Sequence, residues 1–381
     1  MKSIPYGRQN ITDEDIQAVQ DVLKADFLTQ GPKIPEFEQA FSKYIGCEYS
    51  VAVSNGTAAL HLSTLALGVK KGEKVITTPI TFVASANCVR YADGDVLFAD
   101  IDPKTYLLDP NKVEEILKRE KNVKGIIPVD LAGYPVNMEA FRTLADKYKL
   151  WILEDSCHAP GGYFYSGNGN KSYCGSGAMS DLAIFSFHPV KHITCGEGGM
   201  ITTKNPDLYK KLLILRTHGI TKENLSKESQ GEWYYEMKEL GFNYRLTDFQ
   251  AALGISQLKR ADQGLIRRKK IAEGYNEAFA DKEYIKGQSG VVEGHAYHLY
   301  IIEVNNRDGL YRHLRAHNIH PQVHYIPVHL MPYYRKLGWK EGDMPNAEKY
   351  YSRCLSLPIF PSLTDEEQIK VINTINEFYA Q

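Results

Sequence analysis

Residues 185–200 read FSFHPVKHITCGEGGM, and the setting of one side chain in that stretch governs how the rest is understood. Lys191 follows the apolar run 182–185 and precedes Gly196, Gly198 and Gly199. Such glycines let backbone crowd around a side chain, which a lysine on a solvated face does not need. The run before Lys191 reads as a buried strand, and residues 200–203 read as a strand that returns. Upstream the same rhythm holds, with short apolar runs at 50–53, 74–78, 96–99, 125–129 and 151–153. Helical patterns at 57–67, 113–118 and 138–148 lie between them. This alternation predicts an α/β fold, a mostly parallel sheet flanked by helices.

The totals narrow the function classes. The chain has 381 residues, 43% hydrophobic and 24% charged, which suits two domains of ordinary globular composition. Lys+Arg 45 against Asp+Glu 46 gives a net charge of −1, without the basic excess of a nucleic-acid binder. The cationic cluster Arg267-Arg268-Lys269-Lys270 reads as the solvated face of a helix. No run approaches the ~20 apolar residues of a membrane span, and MKSIPYGRQN lacks an apolar signal core. A soluble, cytoplasmic protein is expected. Cys47, Cys88, Cys157, Cys174, Cys195 and Cys354 are scattered without pairwise spacing, as reduced thiols would be.

Thr12 is placed to cap a helix through Ile16, Val19, Val22 and Leu23. Residues 163–180, rich in Gly, Ser and Asn, read as a surface excursion, and 221–232 as a second polar loop. From about residue 250 a long helix over 248–272 leads into a mixed α/β tail. The domain boundary falls in 246–255, giving a large domain at 1–250 and a smaller C-terminal α/β domain at 251–381.

Ligands of open α/β sheets bind beyond the carboxyl ends of the strands. Those ends carry Ser54-Asn55-Gly56-Thr57, Pro79-Ile80-Thr81-Phe82, Glu154-Asp155-Ser156-Cys157-His158 and Ser186 through Lys191. Asn55-Gly56-Thr57 fits an anion site at a helix start or plain N-capping. Asp155 needs a cationic or N–H partner: a structural ion pair, a helix cap, or the protonated ring nitrogen of a cofactor. His158 is a ligand contact or a satisfied core histidine. A metal drawn from Asp155, Cys157, His158, His188, His192 and Cys195 is disfavoured, because Pro189 interrupts the helix that His188 and His192 would need. Adjacent Cys157 and His158 diverge, which argues against a nucleophile pair. Lys191 in a desolvated cleft can attack a carbonyl and form a Schiff base. Pyridoxal phosphate requires that lysine, an acid for its ring nitrogen and an anion site for its phosphate. Lys191, Asp155 and Gly56-Thr57 with Ser186 meet the three needs together.

On those residues the chain resembles the sugar aminotransferases of the DegT/DnrJ/EryC1/StrS family, which have the fold-type I pyridoxal phosphate architecture. The resemblance runs end to end through LTQGPKIPEFE, SNGTAALHL, VITTPITFVASAN, ILEDSCHAPG, FSFHPVKHITCGEGGMI, GFNYRLTDFQAALGISQLKR and LSLPIFPSLTDEE. It implies that Lys191 carries pyridoxal 5'-phosphate covalently, that Asp155 partners the pyridinium, and that Phe82 packs on the cofactor face. It implies phosphate contacts from Gly56, Thr57 and Ser186. Asn243 would reach the neighbouring subunit's phosphate, which makes the functional unit a homodimer with shared active sites.

Many members have Gln where this chain has His158, as the neighbour of the ring oxygen. Histidine there resembles the branch acting on UDP-linked 4-keto sugars. Tyr6, LTQG and QVHYIPVH are most similar to transaminases of pseudaminic acid biosynthesis, implying sugar-nucleotide contacts from Tyr6, Leu28, Thr29, Gln322, His324 and Tyr325. The implied reaction is amination at C4 of a UDP-4-keto-6-deoxy-N-acetylhexosamine with glutamate as donor; a dTDP- or GDP-linked 4-keto sugar or a UDP-4-keto-pentose is the alternative. Relatives that dehydrate sugars at C3 have His in place of the lysine, so Lys191 favours transamination. An idle regulatory protein on this fold would be expected to lose Lys191 or Asp155, and a nucleotide-sugar binder without the cofactor would be colourless.

Overall fold

The computed structural model describes residues 3–223, 225–226, 231–287 and 292–380. Its centre is a seven-stranded sheet built from β1 (Tyr49–Val53), β2 (Lys74–Thr77), β3 (Asp95–Phe98), β4 (Val123–Ile127), β5 (Trp151–Asp155), β6 (Leu182–Ser186) and β7 (Gly199–Thr203). The strand order is β1-β7-β6-β5-β4-β2-β3. All neighbours run parallel except β7, which is antiparallel to β1 and β6. The expected α/β class and strands are therefore present, with small shifts at the strand ends.

Alternate residues of one strand serve different cores, as a sheet covered on both faces requires. Val51, Ile184 and Ile201 join the cluster that contains Leu62, Phe98 and Phe141. Ala52, Phe185 and Met200 join Phe37, Phe41 and Phe187 in another. The helix Gly56–Ala66 is buried along nearly its whole surface, which fits its small and apolar composition GTAALHLSTLA.

The expected continuous helix over 248–272 is instead two, Asp248–Leu258 and Ala261–Phe279. Arg260 breaks it, with φ −120° and ψ 14°. Its guanidinium is drawn to the other side of the junction, donating to Asp15 Oδ1 at 2.9 Å and to Thr12 Oγ1 at 3.2 Å. Helical periodicity continues across the break, so pattern alone does not reveal it.

Along Ala261–Phe279 the packing changes core. Ala261 belongs with Phe37 and Phe41, whereas Ile271, Tyr275 and Phe279 pack with Ile302, Leu314, Leu355 and Ile375. That second body carries the antiparallel sheet β8 (Ile285–Gly287), β9 (Tyr300–Val304) and β10 (Cys354–Leu357). The start of the chain joins it too, since Ile4–Pro5 pairs with Ile319–His320 in parallel. One correction concerns the basic cluster: Arg268 is only 1% exposed and not part of a solvated face.

The 163–180 excursion forms the hairpin Tyr163–Tyr165 with Lys171–Tyr173, and the chain then turns inward to bury Cys174 and Ser176. In the second polar loop, residues 224 and 227–230 lie outside the described residues, while Ile220–Thr221 pairs with Glu236–Met237. The six cysteines are unpaired. Among the described residues, no helix is long and apolar enough to cross a membrane.

Candidate active site

The antiparallel β7 is what brings the strand-end residues together. Gly199, its first residue, lies opposite Val53, the last residue of β1, and opposite Ser186, the last of β6. The ends of β1 and β6 therefore converge, and a Cβ added to Gly56 would lie 3.0 Å from Ser186 Cβ. At this edge of the sheet a cavity of about 770 Å³ opens, lined by residues that include Gly56, Thr57, Phe82, Asp155, His158, Ser186 and Lys191.

One end of the cavity is a helix start. Asn55 caps the helix, its Oδ1 accepting the Ala58 N–H at 2.8 Å, while the Ala59 N–H bonds Asn55 O. Among the described residues the N–H groups of Gly56 and Thr57 have no acceptor, and they stand in the first turn beside the Ser186 hydroxyl, aligned with the positive end of the helix dipole. The N-capping reading of this motif holds, and the same cap orders a turn that could present an anion site.

Asp155 is the floor. Its Oδ2 accepts from Ser85 Oγ at 2.7 Å and its Oδ1 from the Cys157 N–H at 3.2 Å, with 5% of the residue exposed. Among the described residues no ion pair neutralises it, which leaves the carboxylate able to meet a cationic group in the cavity.

Lys191 comes from the turn after β6, which its own N–H closes by bonding His188 O at 2.8 Å. Residues 189–192 are turn and bend, not helix, so His188 and His192 do not share the helical face of a paired metal site. Lys191 is half-buried, and its ammonium has enough protein around it for burial to lower its pKa. Cys157 and Asp155 oppose that shift, while Arg268 adds to it.

The histidine beside it has a fixed tautomer. His158 Nδ1 accepts the Ala132 N–H at 3.2 Å, so its proton sits on Nε2, 3.3 Å from Tyr325 Oη. Ala132 can aim its N–H this way because it adopts φ 63° in the 131–133 turn. Burial, then the Lys191 charge, holds the His158 pKa well below the usual imidazole range. His158 is thus a neutral donor. Burial and then Asp155 push the Cys157 thiol well up, so it is not a ready nucleophile.

Of the expected sugar-nucleotide contacts, Tyr6, His324 and Tyr325 line the cavity. Tyr6 and His324 rings lie 5.0 Å apart, and His324 Nδ1 meets Ser356 Oγ at 2.8 Å. Phe82, 59% exposed, stands at the mouth with its ring 6.5 Å from that of Tyr325. Leu28, Thr29, Gln322 and Asn243 are not in this cavity's wall. Leu28 is 49% exposed, Thr29 bridges Thr247, Asn243 bridges Thr217, and Gln322 bridges Ser356.

The structure adds wall residues that the sequence analysis did not single out, namely Ser85, Tyr91, Tyr244 and His298. Ser85 had a usable signal, since it stands three residues beyond Phe82 at the start of a helix. Tyr244 had one as Asn243's neighbour.

The site fits pyridoxal phosphate in each part: Gly56, Thr57 and Ser186 as the phosphate cradle, Asp155 for the ring nitrogen, His158 for the ring oxygen and Lys191 for the carbonyl carbon. The sequence profile described as the DegT/DnrJ/EryC1/StrS aminotransferase family matches residues 9–376. The UDP-4-amino-4,6-dideoxy-N-acetyl-beta-L-altrosamine transaminase of Campylobacter jejuni is 38% identical over 362 residues, 93% of this chain and 92% of that protein. Helicobacter pylori PseC, an aminotransferase of pseudaminic acid biosynthesis, superimposes with a TM-score of 0.91 at 29% identity, covering 100% of both chains. The Streptococcus pneumoniae protein Spr1654, solved in a PLP form, gives 0.90 at 30% identity, covering 100% of this chain and 99% of that one. The chain belongs to the DegT/DnrJ/EryC1/StrS aminotransferase family.

Proposed function

We propose that the protein transfers an amino group from glutamate to C4 of a nucleotide-linked 4-keto-6-deoxy sugar, a UDP-4-keto-6-deoxy-N-acetylhexosamine. Pyridoxal phosphate would be held on Lys191, and two copies of the chain would share their active sites. The observation that carries this reading is Lys191, of lowered basicity, in one cavity with the unpaired Asp155 carboxylate and the free N–H groups of Gly56 and Thr57. In this reading the division into domains falls after residue 250.

Bound there, pyridoxal phosphate supplies an electron sink for breaking the donor's Cα–H bond. The chain's residues do the rest. Lys191 Nζ, once free and neutral, would take the proton from the donor Cα and deliver it to C4′ of the cofactor, and would run the same transfer in reverse for the sugar. Asp155, held by Ser85 and the Cys157 N–H, keeps a negative charge against the ring nitrogen. His158 Nε2–H donates to the ring oxygen, and the first turn of Gly56–Ala66 takes the phosphate. Tyr6, His324 and Tyr325, in the cavity wall, would meet the sugar. Leu28, Thr29, Gln322 and Asn243 complete the sites from outside this wall, Asn243 by reaching the phosphate in the partner copy.

The test is spectroscopic and chemical. Purified protein carries the absorbance of bound cofactor, and Lys191→Ala loses its covalent form. Incubated with glutamate and a panel of UDP-, dTDP- and GDP-linked 4-keto sugars, the enzyme aminates the UDP-N-acetylhexosamine, as read by mass and NMR. Turnover by Lys191→Ala at the wild-type rate would remove the lysine assignment, and amination of dTDP-sugars alone would remove the UDP assignment.

A further inference from the structure

Arg268 is the most unusual charge in the molecule. It is 1% exposed, and among the described residues no carboxylate pairs with it. Its NH1 group donates to three backbone carbonyls, Ile359 O at 2.9 Å and Tyr297 O and His298 O at 3.3 Å each, while its Nε has no partner. A buried cation held only by carbonyl dipoles is costly, and a neutral amide could satisfy those carbonyls at less expense. That cost points to a use for the charge.

The carbonyls belong to a segment that touches the active site. Within 296–299, the Ala296 N–H donates to Gly133 O at 2.8 Å and the Leu299 N–H to Ala132 O at 3.2 Å. This docks the segment on the turn whose Ala132 N–H fixes His158. The His298 ring, in the cavity wall, lies 4.3 Å from that of His158 and 5.6 Å from that of His192, whose Nε2 meets Ala296 O at 3.0 Å.

We propose that Arg268 is a positioning residue for transamination, set behind the cavity wall, whose clamp holds the histidines in place and whose unpaired positive charge acts on Lys191. It rests on the reading of Lys191 given above. The groups that act on Lys191 are Cys157 and Asp155, which favour its charged form, and Arg268, which disfavours it. His158, His192, His298 and His324 surround it and are kept neutral, chiefly by burial and, for His192 and His298, also by Arg268. The sign is the same at each group it reaches: the guanidinium charge makes protons harder to hold on Lys191, His192 and His298, which a lysine needs if it is to be neutral when it accepts one.

The test uses the holoenzyme. The absorbance of the cofactor on Lys191 is titrated against pH in wild type, Arg268→Gln and Arg267→Gln. Arg268→Gln raises the midpoint by about half to one pH unit, the scale of one nearby charge at intermediate dielectric, whereas Arg267→Gln, which removes the neighbouring charge paired with Asp365, stays near wild type. A second readout needs no cofactor: the pH dependence of Lys191 acylation in the apo protein, followed by mass spectrometry of its peptide, shifts the same way. Should Arg268→Gln not fold, Arg268→Lys takes its place, because a lysine buried there without a carboxylate sheds its proton and raises the midpoint in the same direction. Midpoints unmoved in Arg268→Gln, or moved as far in Arg267→Gln, would overturn the proposal. Failure of the Lys191 reading is separate, since it shows in the wild type as an absorbance that Lys191→Ala retains.

Discussion

Ser85 Oγ donates its one proton to Asp155 Oδ2 across 2.7 Å, so the Thr81 hydroxyl, 2.8 Å behind it, donates to Ser85 in turn. The carboxylate thus sits at the end of a two-hydroxyl chain. Hydrogen bonds to charged groups contribute about 1.5–3 kcal/mol. Ser85→Ala should weaken pyridoxal phosphate binding by roughly tenfold to a hundredfold, read by absorbance titration of the apo protein. Thr81→Val, one bond further out, should cost less; an equal or larger loss would contradict the chain.

Gly199 admits no side chain. A Cβ there would meet Asn55 O at 2.5 Å, Asn55 C at 2.6 Å and Gly56 N at 2.9 Å, all backbone. Gly199→Ala should displace the first turn of the phosphate cradle, destabilise the fold by about 1–3 kcal/mol and impair cofactor binding more than thermal stability. Calorimetry and cofactor titration of the same variant separate the two effects.

Stability should fall as pH drops below neutrality. Burial lowers the pKa of His158, His192 and His298 well below 6.5, and brings His295 and His324 to about 3. Below about 6.5 the unfolded chain binds protons that these folded residues refuse, so each contributes up to about 1.4 kcal/mol of loss per pH unit. That stability is fully present above 6.5 and is lost as pH falls toward the folded values. Asp130 and Glu154, whose pKa values burial raises, act with the opposite sign and soften the acid limb. Urea midpoints at pH 7.5 and 5.5 should show the decline, and His192→Asn should make it shallower.

Mixed dimers test the shared site. Ile16 and Leu23, each 58% exposed, and Phe27, 56% exposed, leave apolar surface uncovered in one copy. The chain should sediment as a dimer of the 43.1 kDa protomer, and Leu23→Glu should shift it toward monomer. Lys191→Ala and Asn243→Ala proteins should each be defective, and their mixture should recover about a quarter of wild-type activity through heterodimers with one intact site. No recovery from a mixture shown to exchange subunits would refute an Asn243 contribution across the interface.

The strand-end residues were legible because buried parallel strands read as short apolar runs, and polar residues directly after them stand out. Lys191, Asp155, Gly56, Thr57 and Ser186 follow from that rule, and their convergence follows from the return of β7. Ser85 acts on a carboxylate 70 positions away, a relationship that local pattern does not carry. Arg268 sits within a run of four basic residues, and its packing against 296–299 and Ile359 distinguishes it from half-buried Arg267 and exposed Lys269 and Lys270. The break at Arg260 depends on Asp15, which belongs to the first helix. Where a residue's place was set by its own strand, the sequence sufficed; where a distant element set it, pattern had nothing to report.

The turn that carries Lys191 has a further consequence. Its ends are zipped, the Phe187 N–H to Gly198 O at 2.8 Å and the Cys195 N–H to Phe187 O at 2.9 Å, so the backbone beneath the lysine is a closed ring of chain. An amine displaced from its partner therefore stays within reach of its own four-carbon side chain, anchored on a fixed backbone. It remains available at an effective concentration of millimolar or above, with the entropy of recapture already spent in folding. If Lys191 holds the cofactor as proposed, it could leave and return in every cycle without the loop reopening.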